Sequence, residues 1–199
     1  MPEDETPAGA TAQQAPQIET AAGALSTARR VLDERLPGAV LGLDGVPPEG
    51  ALLIAAGQLV AAARVLKEDE RLRFTLPLFV TAVDHPDREP RFDLVYQLRS
   101  LDLKDTIRLK VGVADSFDGL PRVPSLCAVW RGMNWLEREV YDLFGIDFEG
   151  SPDQRRLLMP DDWEGHPLRK DYISFGEPVR FTDRGSFPPD AAVPHGAPD

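Results

Sequence analysis

The stretch Phe92-Asp-Leu-Val-Tyr-Gln-Leu-Arg-Ser-Leu-Asp-Leu-Lys-Asp-Thr-Ile-Arg-Leu-Lys-Val-Gly-Val113 decides the architecture. In its first half Phe92, Leu94, Tyr96 and Leu98 alternate with Asp93, Val95, Gln97 and Arg99. In its second half Ile107, Leu109, Val111 and Val113 alternate with Arg108, Lys110 and Gly112. A period of two sets each apolar series on one face of a strand. The linker Asp102-Leu-Lys-Asp105 is short enough to turn one strand back on the other, which predicts an antiparallel hairpin. One apolar and one polar face mean a sheet covered on one side only, and helices must supply the cover.

The flanking sequence provides them. Ile18, Ala21, Ala22, Leu25, Ala28, Val31 and Leu32 recur at helical spacing until Leu36-Pro-Gly38. Residues 39–43 and 51–55 read as two short strands around a Gly- and Pro-rich turn, and residues 59–72 as a second amphipathic helix. Residues 74–83 are rich in strand formers; Pro77, which cannot donate to a ladder, predicts an edge or a bend there. Ser125 is placed to cap a short helical piece running to Trp130. Asn134 then opens a better helix, with Glu137 at capping-box spacing, an apolar stripe of Leu136, Val140, Leu143 and Phe144, and Gly145 as its stop. The predicted fold class is α+β, with a mostly antiparallel sheet covered by helices on one side.

Beyond Phe148 the periodicity ends, and residues 148–199 hold eight prolines and five glycines. Up to Phe181 the segment still carries Leu157, Leu158, Met159, Trp163, Leu168, Tyr172, Ile173 and Phe175 beside the clusters Arg155-Arg156, Asp161-Asp162 and Arg169-Lys170-Asp171. Burying Trp163 alone is worth at most on the order of 4–6 kcal/mol. Such a segment has apolar groups to bury and no periodic face of its own. The expected organisation is a disordered acidic leader at 1–17, an α+β domain at 18–147, an extended irregular partner-binding arm at 148–182, and a disordered tail at 183–199.

Composition narrows the function classes. In 199 residues, 33 acidic against 22 basic side chains give a formal charge of −11, which opposes autonomous binding of nucleic acid or anionic lipid. The longest charge-free stretch, residues 50–63, falls short of the roughly 20 apolar residues of a membrane span. The leader has neither the basic start of a secretory signal nor the arginines of a mitochondrial presequence. The lone Cys127 excludes an intrachain disulfide and suits a reducing compartment.

Candidate chemistry is sparse. No glycine-rich phosphate loop and no GxSxG elbow occurs. Cys127, among Leu126, Ala128 and Val129, reads as a buried inert thiol. His166 has Asp161, Asp162 and Glu164 nearby; a stand-alone hydrolase would use His166, oriented by Asp161 or Asp162, as a general base, and a metal-ligand role is the other chemistry. Gly165 and Pro167 place it on a turn, where a turn or interface hydrogen bond is the plainer reading. Glu137, Glu139 and Asp142 form a possible metal set, but Arg138 stands four residues before Asp142, so a charge-paired helix face meeting a partner is preferred. Arg155, Arg156, Arg169 and Lys170 alternate with Asp153, Asp161, Asp162 and Asp171, which points to protein contacts in place of anion binding.

Two strings within this region carry a resemblance: Asn134-Trp-Leu-Glu-Arg-Glu-Val-Tyr-Asp-Leu-Phe-Gly-Ile146, and Trp163-Glu-Gly-His-Pro-Leu-Arg-Lys-Asp-Tyr172, with Arg155-Arg-Leu-Leu-Met-Pro160 between them. With Val83-Asp84, the strand at 91–100 and Pro124-Ser125, they resemble the family of C-type subunits of NADH-quinone oxidoreductase, the small hydrophilic peripheral-arm subunits of respiratory complex I, over roughly residues 18–175. The chain departs from that pattern at Gly150-Ser-Pro-Asp-Gln154, where Gly-His-Pro-Asp-Leu is expected, and at Ile173 in place of proline. The resemblance implies a cofactor-free, metal-free scaffold in the peripheral arm, with no catalytic residue of its own, on the cytoplasmic side of the bacterial inner membrane. It implies docking on the D-type subunit of that complex, near the quinone-site region, and no homo-oligomer. Flavin and iron–sulfur clusters would sit in partner subunits, with NADH and quinone as substrates of the whole complex. The partner-binding residues expected on this basis are Glu137, Arg138, Asp142, Arg155, Arg156, Trp163, His166, Arg169, Lys170, Asp171 and Tyr172. An equivalent scaffold of a membrane-bound hydrogenase or formate hydrogenlyase-type complex is the alternative.

Overall fold

The computed structural model of the protein describes residues 15–46, 49–116 and 119–172. The predicted tail, most of the predicted leader and residues 173–182 of the predicted arm lie outside the described residues. The order is α1 (Ala15–Arg35), β1 (Val40–Asp44), β2 (Ala51–Ile54), a single 3₁₀ turn, α2 (Leu59–Glu68), β3 (Leu76–Asp84), β4 (Phe92–Arg99), β5 (Thr106–Val113), β6 (Arg122–Pro124), α3 (Met133–Phe144) and β7 (Asp147–Glu149).

The hairpin read from the sequence is the middle of the sheet. β4 and β5 pair antiparallel from Phe92↔Val113 to Arg99↔Thr106. Their apolar series therefore share one face, where Phe92, Leu94, Tyr96, Leu98, Ile107, Leu109 and Val111 are buried. The five strands run β1-β2-β5-β4-β3, all antiparallel except where β2 meets β5. Leu25, Ala28, Val31 and Leu32 of α1, Leu59, Ala62, Ala63 and Leu66 of α2, and Met133, Val140 and Phe144 of α3 join the strands in one buried cluster. The other face is polar, as the alternation requires: Gln97 and Arg108 are cross-strand partners, and Arg108 Nε donates to Gln97 Oε1 at 3.2 Å. β3 is one of the two edge strands, with a register shift between Pro77 and Phe79, so Pro77 marks both an edge and a bend.

Four local readings change. α1 begins at Ala15, ahead of Ile18. α2 ends at Glu68 in place of Leu72, because Asp69 is extended and its carboxylate turns back to accept from the Arg71 backbone and guanidinium; Leu72 and Phe74 are buried from the following loop. The helical piece after Ser125 is one turn, with Ser125 Oγ accepting from the Cys127 N–H at 3.1 Å. α3 has no capping box: its N-cap is Gly132, without a side-chain cap bond, and Glu137 points into the protein. A small parallel sheet, β6 with β7, was not legible as a pattern in three-residue strands; it carries Phe148 into the core at the point where periodicity is lost.

Candidate functional site

The charged motif converges on α3. The helix buries Val140 and Phe144 on its stripe and ends in Gly145 at φ +69°, whose N–H donates to the Tyr141 carbonyl at 2.9 Å. Yet Glu137, Arg138 and Asp142, which lie off the stripe, are buried too, at 1%, 7% and 0% exposure. A buried charge is tolerable only when it is paired and hydrogen-bonded. Each of the three has its own set of partners, and all belong to this chain.

Glu137 accepts from Ser125 Oγ at 2.6 Å, from the Leu126 N–H at 2.7 Å and from Cys127 Sγ at 3.2 Å. Burial raises its pKa in spite of these donors. Burial likewise pushes the Cys127 thiol up to about 11, away from the thiolate a nucleophile needs. Arg138 holds the arm by its backbone, with Nε on the Arg155 carbonyl at 2.9 Å and Nη2 on the Arg156 carbonyl at 2.8 Å, while its guanidinium lies 4.9 Å from the centre of the Trp135 ring. The expected Arg138–Asp142 pairing on one helix face is replaced by these bonds.

Asp142 is the centre of the arrangement. Its Oδ2 accepts three successive arm amides, from Leu157, Leu158 and Met159, at 3.0, 2.7 and 2.9 Å, and Arg156 Nη1 reaches Oδ1 at 2.7 Å. Burial alone would raise its pKa, but the Met159 amide, the Arg156 guanidinium and the other two amides outweigh it and the net shift is downward. With its oxygens so occupied, Asp142 does not form a metal set with Glu137 and Glu139; among the described residues no group of three or more His, Cys, Asp or Glu could hold an ion.

His166 closes the helix C-terminus. Its Nδ1 is 2.9 Å from the Asp142 carbonyl, so Nδ1 carries the proton, and its ring meets Tyr141 edge-on at 6.0 Å. Burial lowers its pKa and keeps the ring neutral. A Cβ on Gly145 would lie 2.4 Å from His166 Cδ2, so the glycine is required both by its φ and by the ring above it. The Leu168 N–H donates to the Leu143 carbonyl at 2.9 Å, and Arg156 Nη2 to the Gly165 carbonyl at 3.0 Å. A Cβ on Gly165 would sit 2.8 Å from the Tyr172 ring. Asp161 and Asp162 make no bond with His166 among the described residues, so the hydrolase arrangement is not assembled.

The arm ends on the sheet. Arg91 bonds both oxygens of buried Asp84 at 2.7 and 2.8 Å, and reaches Asp115 at 2.8 Å and Asp171 at 3.0 Å. Asp84 also accepts the Lys170 N–H at 2.8 Å, and Arg169 lies 3.3 Å from Asp115 and Asp171. Arg91 and Arg169 both stack on Phe92, 5.0 and 5.1 Å from the ring centre. Hydrogen bonding from Arg91 holds Asp84 below the usual carboxylate range and Asp171 at about 2.

Of the predicted partner-binding residues, Glu137, Arg138, Asp142, Arg156, His166, Arg169, Asp171 and Tyr172 are thus engaged within the chain. The Lys170 side chain is exposed, Arg155 projects outward at 81% exposure with Asp153, and Trp163 is half-buried with its Nε1 buried and unpartnered among the described residues. Sequence reasoning missed Asp84, Arg91 and Asp115. The available signal was Asp84 itself, one acid closing an otherwise uncharged strand.

Comparison with known proteins identifies the family of the chain. Residues 52–178 match the family model described as respiratory-chain NADH dehydrogenase, 30 Kd subunit. The chain is 45% identical over 147 residues to the C-type subunit of NADH-quinone oxidoreductase from Roseiflexus sp., covering 74% of this chain and 83% of the relative. It is 46% identical over 154 residues to the equivalently named protein from Geobacter sulfurreducens, covering 77% and 89%. Among solved structures, a component of the membrane-bound sulfane sulfur reductase, an archaeal respiratory membrane complex, superposes with a TM-score of 0.64 at 25% identity, over 84% of this chain and 98% of that one.

Proposed function

We propose, because this chain belongs to the respiratory-chain NADH dehydrogenase 30 Kd subunit family, that it is a non-catalytic, cofactor-free scaffold of the peripheral arm of a proton-translocating NADH:quinone oxidoreductase. It docks on the D-type subunit near the quinone-site region, on the cytoplasmic face of the inner membrane. Flavin and iron–sulfur clusters belong to its partners. No helix among the described residues is long and apolar enough to cross a membrane, which fits a peripheral place.

The observation that carries this reading is the use made of the motif. Asp142 collects three amides and an arginine from residues 156–159, and Arg91 collects Asp84, Asp115 and Asp171. These groups fix an irregular segment in one conformation, which is what a docking surface without periodic structure needs. The outward side chains of that fixed arm, among them Arg155, Leu158, Asp161, Asp162, Lys170 and Leu168, are then held ready for a partner.

A second reading has its own support. The structural neighbour comes from a respiratory membrane complex with a different name, so the same scaffold in a complex of another reaction is the alternative. Size-exclusion of the tagged chain after gentle solubilisation of its own membranes separates the two. Elution in a large particle with flavin and iron–sulfur absorbance and NADH:quinone activity supports the first. A large particle without NADH oxidation supports the second, and a colourless particle near 22 kDa refutes both.

A further inference from the structure

The two edges of the sheet are treated differently. β1 is short, shifts register between Val40 and Gly42, and ends on Asp44, which pairs with Lys110. These are the ordinary defences of an edge against further pairing. β3 is nine residues long, and its own register shift, between Pro77 and Phe79, and its terminal Asp84, which pairs with Arg91, lie at its two ends and leave the middle unguarded. β4 occupies one side of it from Leu76↔Arg99 to Asp84↔Phe92, and among the described residues no backbone hydrogen bond reaches the other. Leu76-Pro-Leu-Phe-Val-Thr-Ala-Val83 bears no charge, in a chain that is 28% charged. Leu76, Leu78, Phe79 and Val83 are 38–43% exposed. Pro77 and the register shift beside it guard only the first third, so residues 79–83 present a regular, open, uncharged edge.

We infer that this edge receives an extended, uncharged strand from another subunit of the complex, by strand addition. The unpaired N–H and C=O groups of a strand repeat in one plane and are matched by another strand, not by a helix. The lack of charge selects an apolar partner strand. A second copy of this chain is the weaker occupant: pairing of residues 79–83 with themselves engages five residues a side, where a stable specific interface uses about 20–30. A strand from a protein already held elsewhere on the complex does not need that area, because its local concentration is high. The inference rests on the reading that the chain assembles into such a complex.

Hydrogen exchange on the full chain, alone and in the complex purified through its tag, tests it. The expected result is that every second backbone amide of residues 79–83, those facing away from β4, exchanges freely in the isolated chain and slows by at least about tenfold in the complex, while the amides bonded to β4 are protected in both. The β4 and β5 amides, protected in both, serve as the folding control. Thr81→Lys, at an exposed position, should abolish the added protection and leave that control unchanged. Equal exchange of residues 79–83 in both states, with the chain present in the complex, overturns the added strand and leaves the scaffold reading standing. Protection of the outward-facing amides already present in the isolated chain also overturns it, in favour of a second copy if the particle has twice the mass. Absence of the chain from any complex overturns the scaffold reading and the strand with it.

Discussion

The β4–β5 hairpin and the arm at 150–172 reach a fixed conformation by different means. In the hairpin, apolar side chains repeat every second residue and the backbone satisfies itself along the ladder. In the arm, turns and bends leave backbone groups unpaired, and α3 side chains take them up: Asp142 for three amides, Arg138 for two carbonyls. Hydrophobic burial is non-directional and tolerates small shifts, whereas these bonds are directional and fail when one partner is removed. The hairpin should therefore lose stability globally and gradually, and the arm locally and abruptly.

The sharpest way to break this contrast is Asp142→Ala. It removes a fully buried carboxylate from three amides and from Arg156, whose side chain is 17% exposed, at a cost of up to about 3–5 kcal/mol. Limited proteolysis should then cut within residues 150–172 while the sheet survives. Simultaneous loss of the whole domain would show that arm and sheet are one cooperative unit. Leu109→Ala is the counterpart in the hairpin, where a fully buried leucine is removed at about 2–5 kcal/mol. Its effect should appear as a lower denaturation midpoint of the entire domain, with no selective cutting of the arm.

Gly145→Ala should cost about 1–2 kcal/mol for the left-handed backbone, with more added by the displaced His166 ring. His166→Ala in the same chain should recover the second part and not the first, a difference measurable by chemical denaturation. Acid offers a finer separation. Asp84, Asp142 and Asp171 have depressed pKa values in the folded chain, so their contribution is complete above the ordinary value of 3.8 and is lost as pH falls through the folded values, about 2 for Asp171. The arm should open on acidification before the hairpin does; hydrogen exchange that reports both opening together would remove the distinction. The smallest effect is expected of Arg155→Ala, an 81%-exposed partner of Asp153, which should leave the denaturation midpoint of the isolated chain unchanged. A loss of complex assembly with unchanged stability would place that side chain on the partner face.

What the sequence by itself determined is what periodicity and backbone chemistry can encode locally. The alternation from Phe92 to Val113 specified the hairpin, its inner face and the need for helices on one side; Pro77 marked the edge, and Gly145 the end of α3. The family was legible in the motif strings. The role of each motif residue was not. Glu137 stood at capping-box spacing and Arg138 at salt-bridge spacing from Asp142, because a linear pattern offers only near neighbours as partners. Their actual hydrogen-bond partners lie 10 to 18 residues away, and Arg91 joins Asp171 across 80. Charges carry no period, and the arm has no face to reveal one. Only the folded chain, which brings α3, the sheet end and residues 153–172 into contact and excludes water from between them, decided that these groups bond to each other.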